Sequence, residues 1–435
     1  MTGGAQSVQA ATESATRASN IRSAPPSDIK NPRTISLHGT RVLLITTSFP
    51  LRPTATSAPF VQKLAEHLGQ RTELTVLTPA DSSPTQAAAD THYQLISFRY
   101  APSRWQRLAQ APGGIPVALT RYPLLHLLLP VMLASMFITA IRLARDADLI
   151  HANWSAVGLI AGLAGKLTGT PVVTTLRGSD VHWLDRWRLS WKILQWCIQL
   201  SDGVACVSEH MMRTVALQYP WAKSRLRVIP NGVDNSFLHI TTADKKSSSD
   251  PLRLLCVGNL IQGKKVDTII RAVSHASDVA THLTIVGDGP ERRALKSLAD
   301  QLGIGDRIHF AGQQLPHVMP ELLKDTDIFI LASQSEGRSN ALVEAMAAGL
   351  AIISSDIPGV SELIRDSDNG LLFPVGDIEA LATALRRLGK DDSLRARLGE
   401  NARETIISQG FTWDRCADRY IELYAEILGR QPVQR

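Results

Sequence analysis

Short β-branched apolar runs alternate with helix-period segments along most of the chain. Residues 41–47 (RVLLITT) read as a buried strand, and 60–68 place Phe60, Val61, Leu64 and Leu68 on one helix face. Further strands are predicted at 73–77, 94–98, 148–151, 172–175, 203–207 and 227–229, with helices between most of them. Strands that are apolar throughout and separated by helices imply a parallel sheet covered on both faces. Residues 244–251 (DKKSSSDP) interrupt the pattern with Ser, Asp and Pro, so a linker is placed at 241–251. A second series follows, with strands predicted at 253–257, 283–286, 307–310, 328–331 and 351–354. The expected fold class is α/β: two tandem Rossmann-like, doubly wound domains, at 40–240 and 252–410, with a central cleft. Residues 411–435 carry a last helix near Trp413 to Leu428.

A length of 435 residues suits two domains rather than one, which agrees with the pattern. Residues 1–39 are rich in Ser, Thr, Ala and Pro and poor in large apolar side chains, so they are expected to form a disordered tail. The tail has no apolar h-region, so no signal peptide is expected, and no amphipathic Arg stripe, which argues against a transit peptide. Cys197, Cys206, Cys256 and Cys416 form no C-x-x-C pair, which disfavours zinc and a disulfide framework and points to a reducing, cytoplasmic compartment. The formal charge of +6 permits anionic partners. No dense Lys/Arg run with interleaved aromatics appears, so nucleic acid is not an expected partner.

Residues 122–141 contain no Asp, Glu, Lys or Arg. Three readings stay open: a membrane span, a buried helix pair, or a face docked peripherally on a bilayer. Spanning conflicts with the position of the run between strands of one domain. Arg99, Tyr100, Arg104, Trp105, Arg107 and Arg121 lie just upstream, suited to anchoring at an anionic membrane surface.

The densest chemistry lies in Ser335-Glu336-Gly337-Arg338-Ser339-Asn340-Ala341-Leu342-Val343-Glu344. Glu336 sits in a Gly/Ser loop, and Glu344 in what reads as the first turn of an apolar helix with Asn340 as N-cap. Free amides at such a helix start suit a phosphate, and the carboxylates suit sugar hydroxyls. An ordinary capped helix with two solvated glutamates explains these residues equally well. Gly258-Asn259-Leu260-Ile261-Gln262-Gly263-Lys264-Lys265 is a glycine turn with cations a few residues on, facing the expected cleft.

Together these segments resemble the E-x7-E signature of retaining glycosyltransferases with the GT-B fold, in particular the large family four of that class. The resemblance covers roughly residues 40 to 430 and includes, in order, Pro230-Asn231-Gly232-Val233-Asp234, the Gly258 loop, Ile285-Val286-Gly287-Asp288-Gly289-Pro290 and the glutamate pair. It implies a metal-independent hexosyltransferase-like enzyme of polysaccharide biosynthesis that needs no cofactor and takes a nucleotide sugar as co-substrate. It implies that Glu344 accepts the ribose hydroxyls, that Glu336 reaches the transferred sugar, and that amides of Gly337, Arg338, Ser339 and Asn340 add donor contacts. It gives Lys264, beside Gly258, the role of neutralising the donor diphosphate. The family has Arg where Asn259 stands and usually Gly where Lys265 stands, so Lys265 is expected to supply part of the missing charge. The family's glycine pair after the first strand is also absent from 48–59.

In the first domain, Arg177 stands where the family often has His. It keeps the power to donate to an oxyanion but not to act as a base. Asp180 either orients Arg177 or binds an acceptor hydroxyl, or it is a turn residue. His151, at a strand end, either contacts the acceptor or the donor or is structural. The resemblance implies a front-face mechanism, in which the leaving phosphate takes the acceptor proton and electrostatic stabilisation of that phosphate dominates. The acceptor expected is a glycan or lipid-linked saccharide. Two alternatives remain: a catalytically silent GT-B subunit that binds a partner enzyme, suggested by Asn259 and the missing glycines, and a GT-B nucleotide-sugar epimerase.

Overall fold

The computed structural model describes residues 35–434 apart from 53–54, 56, 83–90, 110–114, 116–117, 120–121, 179, 181–187 and 241–250. The described residues open on a short strand, β1 (Ile35–Ser36). The next seven strands are β2 (Arg41–Ile45), β3 (Glu73–Pro79), β4 (Tyr93–Phe98), β5 (Leu149–Asn153), β6 (Val172–Leu176), β7 (Gly203–Cys206) and β8 (Leu226–Val228). They form one parallel sheet in the order β4-β3-β2-β5-β6-β7-β8. A second parallel sheet holds β9 (Leu252–Val257), β10 (Thr281–Val286), β11 (Ile308–Gly312), β12 (Ile328–Leu331), β13 (Ala351–Ser355) and β14 (Leu371–Phe373) in the order β11-β10-β9-β12-β13-β14. The central strands are apolar on both faces because helices cover both. Leu43, Leu44, Ile150 and Val173 are buried in the first sheet, and Leu254, Ile330 and Ile353 in the second.

Strand order reverses between β2 and β5, and again between β9 and β12. At such a switch point the loops at the carboxyl ends diverge and leave a crevice. The Gly258 loop follows β9 and the Glu336 loop follows β12, so the topology alone brings these two segments side by side. Gly287, at φ +134°, passes so close to the Gly258 carbonyl that any Cβ would collide with it. Only glycine fits there.

The Trp413–Leu428 helix lies against the first sheet, where Trp413, Tyr420, Ile421 and Tyr424 share a core with Leu44, Val76 and Val173. Polar contacts reinforce it. Arg71 is buried and donates to Asp418 Oδ1 at 3.2 Å and Asp414 Oδ1 at 3.0 Å. His67 Nδ1 is also 3.0 Å from Asp414, and these donors hold the Asp414 carboxyl down to about 2. The chain then ends on β15 (Val433–Gln434), which pairs antiparallel with β1.

That pairing corrects the expected extent of the amino-terminal tail. Ile35, Ser36 and Leu37 are buried, because the returning carboxyl terminus gives them a strand partner and an apolar floor. Residues 1–34 and nearly all of the expected linker, 241–250, lie outside the described residues.

The uncharged run is also corrected. It is not a buried helix pair but a 3-10 turn, Pro123–Leu127, leading directly into one helix, Leu128–Ala144. Met132, Met136, Ala140 and Ala144 recur every four residues and face the core. The other face is bare: Leu124 is 81% exposed and Leu127 75%, with Val131 and Ile138 about half exposed. The segment from Leu124 to Ala144 has length and apolarity enough to cross a membrane, with mean hydropathy 2.2. Yet it connects β4 to β5, which are laid in one sheet by β3 and β2. Threading it through a bilayer would tear that sheet apart. Tyr100 is not an anchor, since it is buried and its hydroxyl accepts from Leu108 N at 3.0 Å. Arg121 lies outside the described residues.

Candidate functional site

After β9, Gly258 N donates to Val286 O at 3.0 Å, and a 3-10 turn, Gln262–Lys264, raises the lysine towards the crevice. Lys264 Nζ reaches Glu336 Oε1 at 2.5 Å, with the two side chains 25% and 11% exposed. Lys265 follows at φ +50°, the left-handed region, and starts the Val266–His275 helix. A glycine would adopt that backbone without the cost a Cβ brings, which accounts for the residue usual in the resembled family. Asn259 is exposed.

The Glu336 loop is squeezed from two sides. A Cβ at Gly337 would strike the backbone of Gly178 in the first lobe, and one at Gly359 would strike the Glu336 carbonyl. Ser339, not Asn340, caps the following helix: its backbone is extended and its Oγ accepts from Leu342 N at 3.3 Å. Asn340 is the first helical residue, so its side chain is released to accept from Asn231 Nδ2 at 3.0 Å across the lobes. Glu344 therefore lies in the second turn rather than the first. It is half-buried, and no donor among the described residues reaches its carboxyl. Burial, then the nearby Asp234 carboxylate, push it up to about 8. The Arg338 guanidinium stacks 4.1 Å above the Phe411 ring, with Nε and Nη2 buried and unpartnered. Burial pulls it down to about 10, and it faces the returning chain rather than Glu336.

Arg177 is buried behind the crevice. Its Nε and Nη2 donate to Asn153 Oδ1 at 3.1 and 2.7 Å, its Nη1 to Asn231 Oδ1, and its guanidinium lies 5.1 Å from the Phe60 ring. A chain of hydrogen bonds thus runs from Asn153 through the Arg177 guanidinium and Asn231 to Asn340 at the head of the glutamate helix. Asn153 and Asn231 were missed as functional residues, although Asn231 lies in the Pro230–Asp234 stretch that carries part of the resemblance. Their signal was a neutral amide beside a strand end, which composition does not distinguish from a turn residue.

Asp180 is a turn-holding residue. Its Oδ1 accepts from Ser155 N at 2.7 Å and its Oδ2 from Arg177 N at 2.6 Å, so both oxygens hold the backbone of the turn. Burial pushes its carboxyl up while those amides oppose the rise. His151 is fully buried beneath the last helix. Its Nε2 lies 2.7 Å from Thr175 Oγ1 and its Nδ1 2.6 Å from Tyr424 OH, so both ring nitrogens are committed away from the crevice. Burial, and then the Arg177 charge, pull it down to about 3, which keeps it neutral.

One clasp between the lobes had no sequence signal. The Glu362 carboxylate accepts from Glu209 N at 3.0 Å and from His210 N, at the start of the Glu209–Gln218 helix of the first lobe. A carboxylate there satisfies free amides and the positive helix end.

The site thus gathers the Lys264 ammonium, the Glu336 carboxylate, the Glu344 carboxyl and a helix start beside one crevice. That set matches an anion flanked by hydroxyls. Two family models fit the chain, one per lobe: "Glycosyltransferase Family 4" over residues 58–237 and "Glycosyl transferases group 1" over 240–405. The N-acetyl-alpha-D-glucosaminyl L-malate synthase of Bacillus anthracis is 31% identical over 294 residues, covering 65% of this chain and 76% of its own. The lipopolysaccharide core biosynthesis glycosyltransferase LpsE of Rhizobium meliloti is 33% identical over 226 residues, 52% of this chain and 64% of its own. Among solved structures, the sucrose-phosphate synthase of Thermosynechococcus elongatus superposes with a TM-score of 0.71 at 21% identity, covering 90% of this chain and 99% of that one. Anabaena Alr3699/HepE in complex with UDP-glucose gives 0.67 at 20% identity over 89% and 99%. The fold is GT-B, and the chain belongs to glycosyltransferase family 4.

Proposed function

We propose that the protein transfers a sugar from a nucleotide-sugar donor to a glycan or lipid-linked saccharide with retention of anomeric configuration, and without a catalytic metal. The observation that carries this reading is the Lys264–Glu336 pair at the β9/β12 switch point, with Glu344 on the adjoining helix. Lys264 has further N–H groups with which to meet a diphosphate while it holds Glu336. Glu336 then faces the hydroxyls of the transferred sugar, and Glu344 takes the ribose diol once it has lost its proton. The solved relative with UDP-glucose, and a relative named for lipopolysaccharide core synthesis, support a nucleotide-sugar donor and a saccharide acceptor.

Arg177 acts in this reading by fixing Asn231, and through it Asn340, rather than by touching the leaving phosphate. The proton of the acceptor hydroxyl passes to the leaving phosphate oxygen as the new glycosidic bond forms on the same face. The protein's part is to stabilise charge on that phosphate with Lys264, Lys265 and helix-start amides. The bare Leu124–Ala144 face, together with the exposed Arg99, Arg104 and Arg107 of the same lobe, supports a lipid-linked acceptor met at the anionic inner face of a membrane. The four buried, unpaired cysteines suit the cytoplasm.

The deciding experiment is slow donor hydrolysis without acceptor, screened over a panel of nucleotide sugars, with the anomer of the released sugar read by NMR. Retained configuration supports the proposal, and inverted configuration rejects it. Absence of turnover with every donor, despite binding, favours a silent subunit.

A further inference from the structure

The Lys264–Glu336 pair has a third member. Ser333, fully buried just beyond β12, donates from Oγ to Glu336 Oε1 at 2.7 Å, the same oxygen that receives the Lys264 ammonium. The Ser333 carbonyl in turn accepts from Ser355 Oγ at 2.7 Å, and Ser355 is fully buried in β13. The serine is therefore held by the neighbouring strand of the rigid sheet, and it holds the carboxylate from below.

A carboxylate offers about four lone-pair directions on two oxygens. Two donors converge on Oε1, and no donor among the described residues reaches Oε2. Lys264 alone would not fix the carboxylate, because an ammonium on a flexible four-carbon stem accepts many geometries. A buried hydroxyl on a strand end has almost none to choose from.

We propose that Ser333 is a positioning residue that sorts the two oxygens of Glu336. It ties Oε1 to the lysine side and leaves Oε2 to read the hydroxyls of the transferred sugar. This rests on the reading of Glu336 as the sugar contact. Ser333 touches neither donor nor acceptor and acts through the carboxylate alone. It follows that recognition of the sugar and recognition of the diphosphate separate at this residue. Without the hydroxyl, the carboxylate follows the ammonium, and the sugar loses its acceptor while the diphosphate keeps its cation.

The test is calorimetry on the full chain with UDP and UDP-glucose as probes, for the parent, Ser333→Ala, Glu336→Gln and the double variant. Ser333→Ala is expected to leave UDP affinity within about twofold and to weaken UDP-glucose by about tenfold, the scale of one charge-assisted hydrogen bond. In the Glu336→Gln background the same change is expected to add nothing, because the residue it acts through has lost its charge. Equal loss on both probes, or full additivity with Glu336→Gln, overturns the proposal. Should the parent bind neither probe, the donor reading is what has failed for these probes. Crystal structures of the parent and Ser333→Ala then decide the inference: a Glu336 carboxylate that stays in place overturns it, and one that swings with Lys264 supports it.

Discussion

Lys264 Nζ lies 2.5 Å from Glu336 Oε1, although 72 residues separate them in sequence. The contact follows from β9 and β12 lying side by side, since each residue sits in the loop that leaves one of those strands. Lys264→Ala should leave a nearly buried carboxylate without its cation and remove the charge offered to a phosphate. Affinity for a nucleoside diphosphate should fall by about 1.5–3 kcal/mol, the worth of a hydrogen bond to a charged group. Affinity for the bare nucleoside should barely move, and equal losses in calorimetry would refute a diphosphate role.

Lys265 bears both a charge and a left-handed backbone. Lys265→Gly relieves about 1 kcal/mol of backbone cost, partly offset by the greater freedom of glycine in the unfolded chain. Thermal stability should therefore hold or rise while diphosphate affinity falls more than monophosphate affinity. Asn259→Arg should raise diphosphate affinity, because Asn259 is exposed and an arginine there has room. A glycine variant that binds both nucleotides like the parent would end the idea that Lys265 compensates for Asn259.

Glu344 couples nucleotide binding to pH. Its carboxyl titrates near 8 in the free protein against 4.5 when unfolded, so most of it is protonated at neutral pH. Only the carboxylate accepts both ribose hydroxyls. Affinity should rise with pH up to about 8, with proton release, and level off above. The stability sign is the reverse: the folded state holds the extra proton, so stability from this group is full below 4.5 and lost as pH rises through 8. Glu344→Gln should flatten both profiles and weaken binding above pH 8 by about 1–3 kcal/mol. A parent affinity independent of pH between about 7 and 9, one unit either side of that titration, would contradict the ribose role.

His151 gives the opposite stability slope. It titrates near 3 when folded against 6.5 when unfolded, so its contribution is full above 6.5 and lost as pH falls towards 3. At pH 5 the loss is about 2 kcal/mol by linkage. Because Glu344 acts in the other direction over part of this window, the informative quantity is the difference between parent and His151→Phe in urea titrations at pH 7 and 5. The variant should be less stable at both, having stranded the Thr175 and Tyr424 hydroxyls, but its gap to the parent should narrow at pH 5. A gap that stays constant would mean that the imidazole already ionises in the fold.

Much of this architecture was legible because it rests on local signals. The strands carry apolar runs, and the loops that follow β9 and β12 carry Gly258, Lys264 and Glu336. Three things were not legible. Which residue caps the glutamate helix depended on whether Ser339 or Asn340 took the extended backbone, and both types cap well. His151, in the middle of β5, and Asp180, four residues past β6, look available to a ligand in the sequence, but their partners, Tyr424 and Ser155, come from elements whose approach only the assembled fold reveals. Glu362 carries no motif, since its role arises from the opposite lobe presenting a helix start.

The bare face of the Leu124–Ala144 segment makes the last prediction. Leu124 and Leu127 are more exposed than the core-facing Met132 and Met136, which are wholly buried, so the helix has an apolar side without a partner among the described residues. Trp105 is 53% exposed and sits between Arg104 and Arg107, which are also exposed. Exposed basic residues and an exposed apolar stripe in one lobe fit an anionic bilayer, where each basic residue contributes about 1 kcal/mol within a Debye length of the surface. In flotation assays the protein should bind vesicles containing anionic lipid and release as salt rises. Arg104→Glu with Arg107→Glu should abolish most of that binding. Leu124→Ser with Leu127→Ser should weaken it with less salt dependence, because apolar insertion is not screened. Neither pair should lower the unfolding midpoint appreciably, since all four side chains lie at the surface. Equal binding to neutral and anionic vesicles, or none at low salt, would reject docking through this face and make a soluble acceptor the better reading.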